Sequence, residues 1–147
     1  MEIEIFTLKL VSPLFYIPSN ELDPFDGGQI KNTNIDTERL FCFELDEDEA
    51  ASFEPNREKF PGKLVSGGIA AKSGQDGKAF KLPEGDYLFA QKREIPGRKE
   101  IISMAVEIQS EGLWRRLVPG KMLYLRYLFE DGSWVTQLLR PFRGGQT

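Results

Sequence analysis

Helical periodicity is confined to one long segment of this sequence, residues 97–117, so a sheet must supply most of the fold. Apolar residues recur there at spacings of three and four and share one side of a helix. Pro96 and Gly97 precede the segment, and Pro119 ends it. Gly112 lies inside it, where glycine costs about 1 kcal/mol relative to alanine, so we expect the helix to break there. The apolar side is formed by Ile101, Ile102, Ala105, Val106, Ile108, Leu113 and Leu117.

The other apolar segments are short, alternate with polar residues and are bounded by turn residues, as β-strands are. Their order is strand, loop, strand, strand, then strand, helix, strand, strand, which predicts an α+β fold with an antiparallel sheet. The two halves are similar in order, and the first helix is reduced or replaced by a loop. We expect one domain over 1–143 and a flexible tail over 144–147. Strands are predicted at 2–11 with an extension at 15–17, at 38–45, 63–72 and 87–91, and in a hairpin at 121–142; 18–37 is predicted to be the loop and 73–78 a turn.

Composition excludes several classes of function. The chain has 147 residues, no histidine and a single cysteine, Cys42. This excludes histidine-based nucleophilic catalysis, histidine-ligated zinc or haem and an internal disulfide. The net charge of −4 gives no basic footprint for nucleic acid. No signal peptide or membrane span is recognisable, so we expect a soluble, cytoplasmic protein that uses no metal or cofactor.

An acidic stretch, Asp46 to Glu49, follows the strand predicted at 38–45. One interpretation is a solvated loop or a single helical turn with Asp46 as its N-cap. The alternative is a divalent-metal site, which is disfavoured because consecutive acids cannot all face one ion and the spacing of a calcium loop is missing.

Several segments together resemble one family. LFCFELDEDE, then Glu58 and Phe60, and then KLVSGGIAAK resemble the first-half hairpin of the gyrase-inhibitor-like (GyrI-like) small-molecule-binding domains, in the SOUL and effector-binding superfamily. AFKLPEGDYLFAQKR resembles that family's turn into the second half, and its core LPEGDYLF is the specific part. YLRYLFEDGSWVTQLLRPFR resembles the closing hairpin. The likeness covers about residues 38–143.

The resemblance implies two βαββ halves related by a pseudo-twofold axis, with a cleft between them that binds flat, apolar and often cationic molecules. Members serve as effector modules of transcription regulators, as free-standing binders and in a few cases as hydrolases. No helix-turn-helix segment is present here, so a free-standing member is expected. The family's closing hairpin usually carries a pocket glutamate where this chain has Leu125, and this puts cation binding in doubt.

Aromatic residues on the second-half strands are the main candidates for a binding site. Tyr87 is the leading one, because the resembling turn places it at the cleft. For the aromatic residues the alternative is ordinary core packing. Glu107 is a pocket carboxylate if it faces the sheet and a solvated residue if it does not. Cys42 is expected to be a buried small hydrophobe. The predicted ligand-binding residues are Tyr87, Phe89, Glu107, Trp114, Tyr124 and Tyr127.

We therefore expect a non-enzymatic protein that sequesters or senses a small molecule in an aromatic cleft. An alternative is a protein-interaction module that presents the acidic residues 44–49 and 54–58 to a basic partner. A third hypothesis is a hydrolase with Glu107 and Tyr87 as its acid–base pair. A homodimer is possible through the sheet edges, and no nucleic-acid or membrane partner is expected.

Overall fold

The computed structural model describes residues 3–19, 23–32, 38–48, 60–71 and 78–143. Within these ranges the chain is an α+β protein with a curled, antiparallel sheet of nine strands and one main helix. The helices are α1 (Gly27–Lys31) and α2 (Arg98–Trp114). The strands are β1 (Ile5–Leu10), β2 (Leu14–Pro18), β3 (Arg39–Glu44), β4 (Lys63–Ala71), β5 (Phe80–Leu82), β6 (Gly85–Lys92), β7 (Val118–Pro119), β8 (Met122–Glu130) and β9 (Ser133–Arg143).

Period-two alternation located the main strands. The predictions at 38–45 and 63–72 correspond to β3 and β4, and the prediction at 87–91 lies within β6. The predicted hairpin is formed by β8 and β9. Its turn residues Asp131 and Gly132 have φ angles of 51° and 82°, the left-handed pair that tight hairpins require.

Two local predictions were wrong. The segment 18–37, predicted to be loop, contains α1, because the Asp26 side chain accepts a hydrogen bond from the Gln29 amide and Ile30 is fully buried. The predicted break at Gly112 is absent, and α2 continues to Trp114. The short strands β5 and β7 had not been predicted. Residues 54–58, most of the predicted turn at 73–78 and the tail at 144–147 lie outside the described residues.

The sheet curls until its two ends meet. Its strand order is β1-β6-β9-β8-β3-β4-β2-β5, with β7 paired to β9. β1 runs into β2 through residues 11–13, and β5 runs into β6 through residues 83–84. The pairs Leu10–Gly85 and Leu14–Leu82 lie on either side of this corner, so one bent ribbon joins the first and last strands of the order.

The curled sheet has a helix face and an inner face, each with its own apolar cluster. α2 packs on the helix face, and side chains that alternate with those under the helix form the inner face. The helix face includes Phe41, Phe43, Leu88, Ile101, Ile102, Met104, Ala105, Ile108, Leu123, Leu125, Tyr127, Leu138 and Phe142. The inner face includes Tyr16, Leu40, Cys42, Leu82, Tyr87, Tyr124 and Leu139.

The described part of the chain contains no helix that is both long and apolar enough to cross a membrane.

Candidate functional site

The inner face brings two of the predicted site tyrosines together. Tyr87 on β6 and Tyr124 on β8 lie on either side of β9, and their rings meet edge to face with centroids 6.1 Å apart. The Tyr87 hydroxyl donates a hydrogen bond of 2.5 Å to the carbonyl oxygen of Pro83, in the turn that begins β6. Cys42 pairs with Tyr124 across β3 and β8. The turn and the strand register thus fix two phenol rings against each other.

An open pocket of about 680 Å³ lies at this end of the sheet, with the two tyrosines in its wall. This volume falls within the range of about 300–1,000 Å³ that is usual for small-molecule sites. Two acidic and two basic side chains belong to the lining, so the formal charges of the pocket balance. The lining residues are Pro83, Glu84, Gly85, Asp86, Tyr87, Pro119, Gly120, Lys121, Tyr124, Pro141, Phe142 and Arg143.

Burial keeps the two phenols of this site and the neighbouring Cys42 thiol in their neutral forms. It raises the pKa of Tyr124 to about 12, with a smaller contribution from Cys42. It also raises the pKa of Tyr87, with smaller contributions from Tyr124, Glu84 and Cys42. The Cys42 thiol is affected in the same way, and its pKa rises to about 12. The phenols are therefore hydrogen-bonding groups, and Cys42 is not a thiolate nucleophile.

A charged network occupies the inner face two residues further along the strands. Arg126 on β8 binds both carboxylate oxygens of Glu38, with Nε and Nη2 each 2.8 Å from an oxygen. The Tyr16 hydroxyl donates to the same carboxylate, and Arg126 Nη1 donates to Gln137 Oε1 at 2.8 Å. Gln137 Nε2 in turn donates to Gln91 Oε1 at 2.7 Å. Glu38 is thereby neutralised within the protein.

The pKa values of Arg126 and Tyr16 in this network are both raised, which favours the charged arginine and the neutral phenol. Burial lowers the pKa of Arg126, but the hydrogen bonds and charge of Glu38 outweigh it, so the net direction is upward. Burial, and then the charge of Glu38, raises the pKa of Tyr16, which stays a neutral donor. A bidentate pair of this kind is strong and geometrically specific.

The six predicted site residues do not form one cluster. Tyr87, Tyr124 and Phe89 lie on or against the inner-face cluster. Tyr127 lies on the opposite face, where its hydroxyl donates to the carbonyl oxygen of Pro24 at 2.6 Å. The other two, Glu107 and Trp114, are exposed on α2.

Glu107 and Tyr87 also lie on opposite sides of the sheet. α2 packs on the helix face and Tyr87 lies on the inner face, so the predicted acid–base pair is not brought together. Strand alternation explains the position of Tyr127, because Tyr124 and Tyr127 are three residues apart on one strand and point to opposite faces.

Sequence reasoning missed the Glu38–Arg126–Tyr16 network. Arg126 and Glu38 are 88 residues apart, and no local pattern pairs them. Leu125 is fully buried on the helix face. Among the described residues, no group of three or more Cys, Asp or Glu side chains could hold a metal ion. Neither a protein-family model nor a curated protein matches this chain.

A titration of tyrosine tests the burial of the site. All four tyrosines of the chain have pKa values raised chiefly by burial (Tyr16, Tyr87, Tyr124 and Tyr127). We expect little tyrosinate absorbance in the folded protein near pH 11, whereas urea-unfolded protein should titrate near pH 10. Coincident folded and unfolded curves would contradict the buried inner face.

The same shifts predict how stability depends on pH. A group whose pKa is raised on folding keeps its proton longer in the folded state, so its contribution is complete below the unfolded pKa and is lost at higher pH. The free energy of unfolding should therefore fall as the pH rises above about 9, first through Cys42 and then through the tyrosines. Urea unfolding at a series of pH values measures this slope, which Cys42→Ala should reduce.

Proposed function

We propose that this protein binds a flat, apolar and uncharged small molecule in the open pocket beside Tyr87 and Tyr124, to sequester or sense it. The observation that carries the proposal is the pocket itself, about 680 Å³ in volume and walled by a fixed pair of tyrosines. Aromatic walls with a few placed polar groups are typical of small-molecule sites. Ring stacking and apolar burial would supply the affinity.

The charges around the site favour a neutral ligand over a cation. Glu84 and Asp86 in the pocket lining are balanced by Lys121 and Arg143. Glu38, which lies on the inner face, is already paired with Arg126. It is therefore not free to act as the counter-ion of a cationic ligand.

The chemistry of the site favours binding without a covalent step. Cys42 has a raised pKa and is buried, which removes its nucleophilic form at neutral pH. Glu107 is exposed on α2 and does not approach Tyr87, which weakens the hydrolase hypothesis. Capture and release of an unmodified ligand is the function that these groups support best.

We further propose that the fold consists of two βαββ halves, the organisation of the gyrase-inhibitor-like family. The strand pairings support this proposal. The first half is β1–β2, α1, β3 and β4, and the second is β5–β6, α2, β8 and β9.

Apart from β7–β9, exchanging the two halves maps each strand pairing onto an observed one. The pair β2–β4 corresponds to β6–β9, and β3–β4 corresponds to β8–β9. The pair β3–β8 corresponds to itself, and β1–β6 corresponds to β2–β5. This is the pattern that a pseudo-twofold axis between the halves would produce, with α1 as the reduced counterpart of α2.

The acidic surface remains a second candidate function. Glu44 at the end of β3 and the acids that follow it, Asp46, Glu47 and Asp48, are all exposed. Three of these acids line a shallow depression of about 550 Å³, together with Lys63 and Lys121. An exposed run of acids suits a basic protein partner. The two lysines reduce the net negative charge of the depression. The tyrosine pocket is therefore the better supported site.

Blocking the pocket tests the proposed function. Nile red, a flat neutral dye, should bind the wild-type protein more tightly than ethidium, a flat cation. Lys121 is an exposed residue of the lining, and Lys121→Trp would place an indole in the pocket. We expect this variant to lose affinity for Nile red by about tenfold or more, measured by fluorescence titration.

The matched control is Lys99→Trp, which places the same side chain on the exposed surface of α2. It should bind Nile red as the wild type does. Equal binding by the wild type and both variants would overturn the pocket as the site. Tighter binding of ethidium than of Nile red by the wild type would overturn the assignment of a neutral ligand.

A further inference from the structure

The end of α2 exposes an apolar surface that the ligand pocket does not explain. Trp114 is 83% exposed, Leu113 is 51% exposed and Val118 is 44% exposed. We call these three residues the Trp114 patch. Tryptophan is usually largely buried in soluble proteins, and an exposed one beside other apolar side chains is typical of an interaction site.

The backbone at the end of α2 also contains a left-handed conformation that is unfavourable for the residue that adopts it. The Leu117 amide donates to the Gly112 carbonyl at 2.9 Å, and the Arg116 amide donates to the Leu113 carbonyl at 3.1 Å. These two bonds form a Schellman motif, in which Arg116 has the left-handed φ of 60° that favours glycine. The chain thus keeps an arginine in a strained position two residues from an exposed tryptophan, and strain of this kind is concentrated at functional sites.

A groove lies beside the Trp114 patch. Its volume is about 340 Å³, and its lining includes Arg115, the residue that follows Trp114 in the chain. Its apolar and aromatic surface is supplied by Leu8, Tyr87, Leu88, Leu117 and Phe142. Lys9 and Asp86 also belong to the lining, and Nε of Arg115 lies 2.6 Å from Oε2 of Glu111. We call this the side groove.

We propose that the Trp114 patch and the side groove form a homodimer interface, in which Trp114 of each subunit inserts into the side groove of its partner. A projecting residue and a groove on the same surface are self-complementary, as a twofold interface requires. The groove is lined by two cations, Lys9 and Arg115, and one acid, Asp86, and a cation can lie over the electron-rich face of an inserted indole. Tryptophan and arginine are also the residue types that most often dominate interface energies. The side groove shares Asp86, Tyr87 and Phe142 with the lining of the ligand pocket, but the dimer does not require a ligand there.

Sedimentation equilibrium tests the dimer. The wild-type protein should associate reversibly, and Trp114→Ala should raise the dissociation constant of the dimer by about thirtyfold or more. Leu64→Ala is the matched control, because Leu64 is 44% exposed on β4 and does not line the side groove. It should leave the dissociation constant unchanged.

A mixing experiment distinguishes reciprocal insertion from other apolar contacts. Thr7 lines the side groove from β1, and Thr7→Tyr should block the groove while keeping Trp114. Each variant alone should be monomeric. An equimolar mixture of Trp114→Ala and Thr7→Tyr retains one intact tryptophan and one open groove, so it should form a heterodimer with about half of the contacts.

Three outcomes would overturn the proposal. These are a wild-type protein that stays monomeric at millimolar concentration, a Trp114→Ala variant that dimerises as well as the wild type, and a mixture that does not associate although the wild type does. Binding of a monomeric wild-type protein to vesicles of phosphatidylcholine and phosphatidylserine, with loss in Trp114→Ala, would instead assign the patch to an anionic lipid surface.

Discussion

Arg126→Met is expected to lower the free energy of unfolding by about 3 kcal/mol, because it leaves the carboxylate of Glu38 without its counter-ion on the inner face. The side chains of Arg126 and Glu38 are only 18% and 22% exposed, so solvent screens the pair little. Methionine preserves most of the apolar length of the arginine side chain. The loss therefore reports chiefly on the broken ion pair, and urea unfolding measures it.

Two comparisons separate this effect from general damage. In Arg126→Met with Glu38→Gln the unpaired charge is gone, so the double variant should be more stable than Arg126→Met alone. Lys81→Met removes a cation from an exposed pair with Glu84, in which both side chains are about half exposed and 3.8 Å apart, and should change stability by about 0.5 kcal/mol or less. A double variant as unstable as the single one would contradict an uncompensated charge at Glu38.

The Glu38–Arg126 pair also shows where sequence reasoning reaches its limit. The alternation in 38–45 predicts Leu40 and Cys42 on one face and Phe41 and Phe43 on the other. The structure confirms this, because side-chain direction in a strand is a local property. Which strand lies beside β3 is not local. β8 pairs with it across some 80 residues of chain, and only that pairing brings Arg126 to Glu38.

The candidate site likewise has residues whose positions could be predicted from the sequence and residues whose positions could not. Tyr87 and the turn before it could be predicted, because the LPEGDY segment carries both the turn residues and the strand that follows. Tyr124 and Tyr127 were both predicted to line the site, although their odd spacing on one strand allows only one of them to face it. Glu107 was undecided, and the structure places it on the solvent side of α2.

Helix α1 was missed although its signal is present in the sequence. Asp26 is an ordinary N-cap residue, and it accepts a hydrogen bond from the Gln29 amide at 3.1 Å. The two glycines that follow it favour a turn on intrinsic propensity. Burial of Ile30 against the helix-face cluster outweighs that preference.

Gly112 was predicted to break the helix, and the structure gives it a different role. It is buried on α2 against the ring of Phe142. A Cβ atom at this position would lie 2.2 Å from Cε2 of Phe142 and 2.5 Å from its Cζ. The glycine therefore allows α2 and β9 to approach closely, and its cost in helix propensity is offset by this packing.

Gly112→Ala is accordingly expected to destabilise the protein by about 2 kcal/mol, although alanine is the better helix former. Phe142 is 6% exposed and lines both the tyrosine pocket and the side groove. Moving its ring should therefore also weaken the binding of Nile red. Urea unfolding and dye titration of one variant measure the two effects.

The control for helix propensity is Ser110→Ala, on the exposed side of α2 two residues away. This substitution should stabilise the protein by about 0.5 kcal/mol, because it improves propensity without a clash. The two alanine substitutions thus have opposite expected signs on the same helix. If Gly112→Ala also stabilised the protein, the close approach of α2 to Phe142 would not be what the glycine provides.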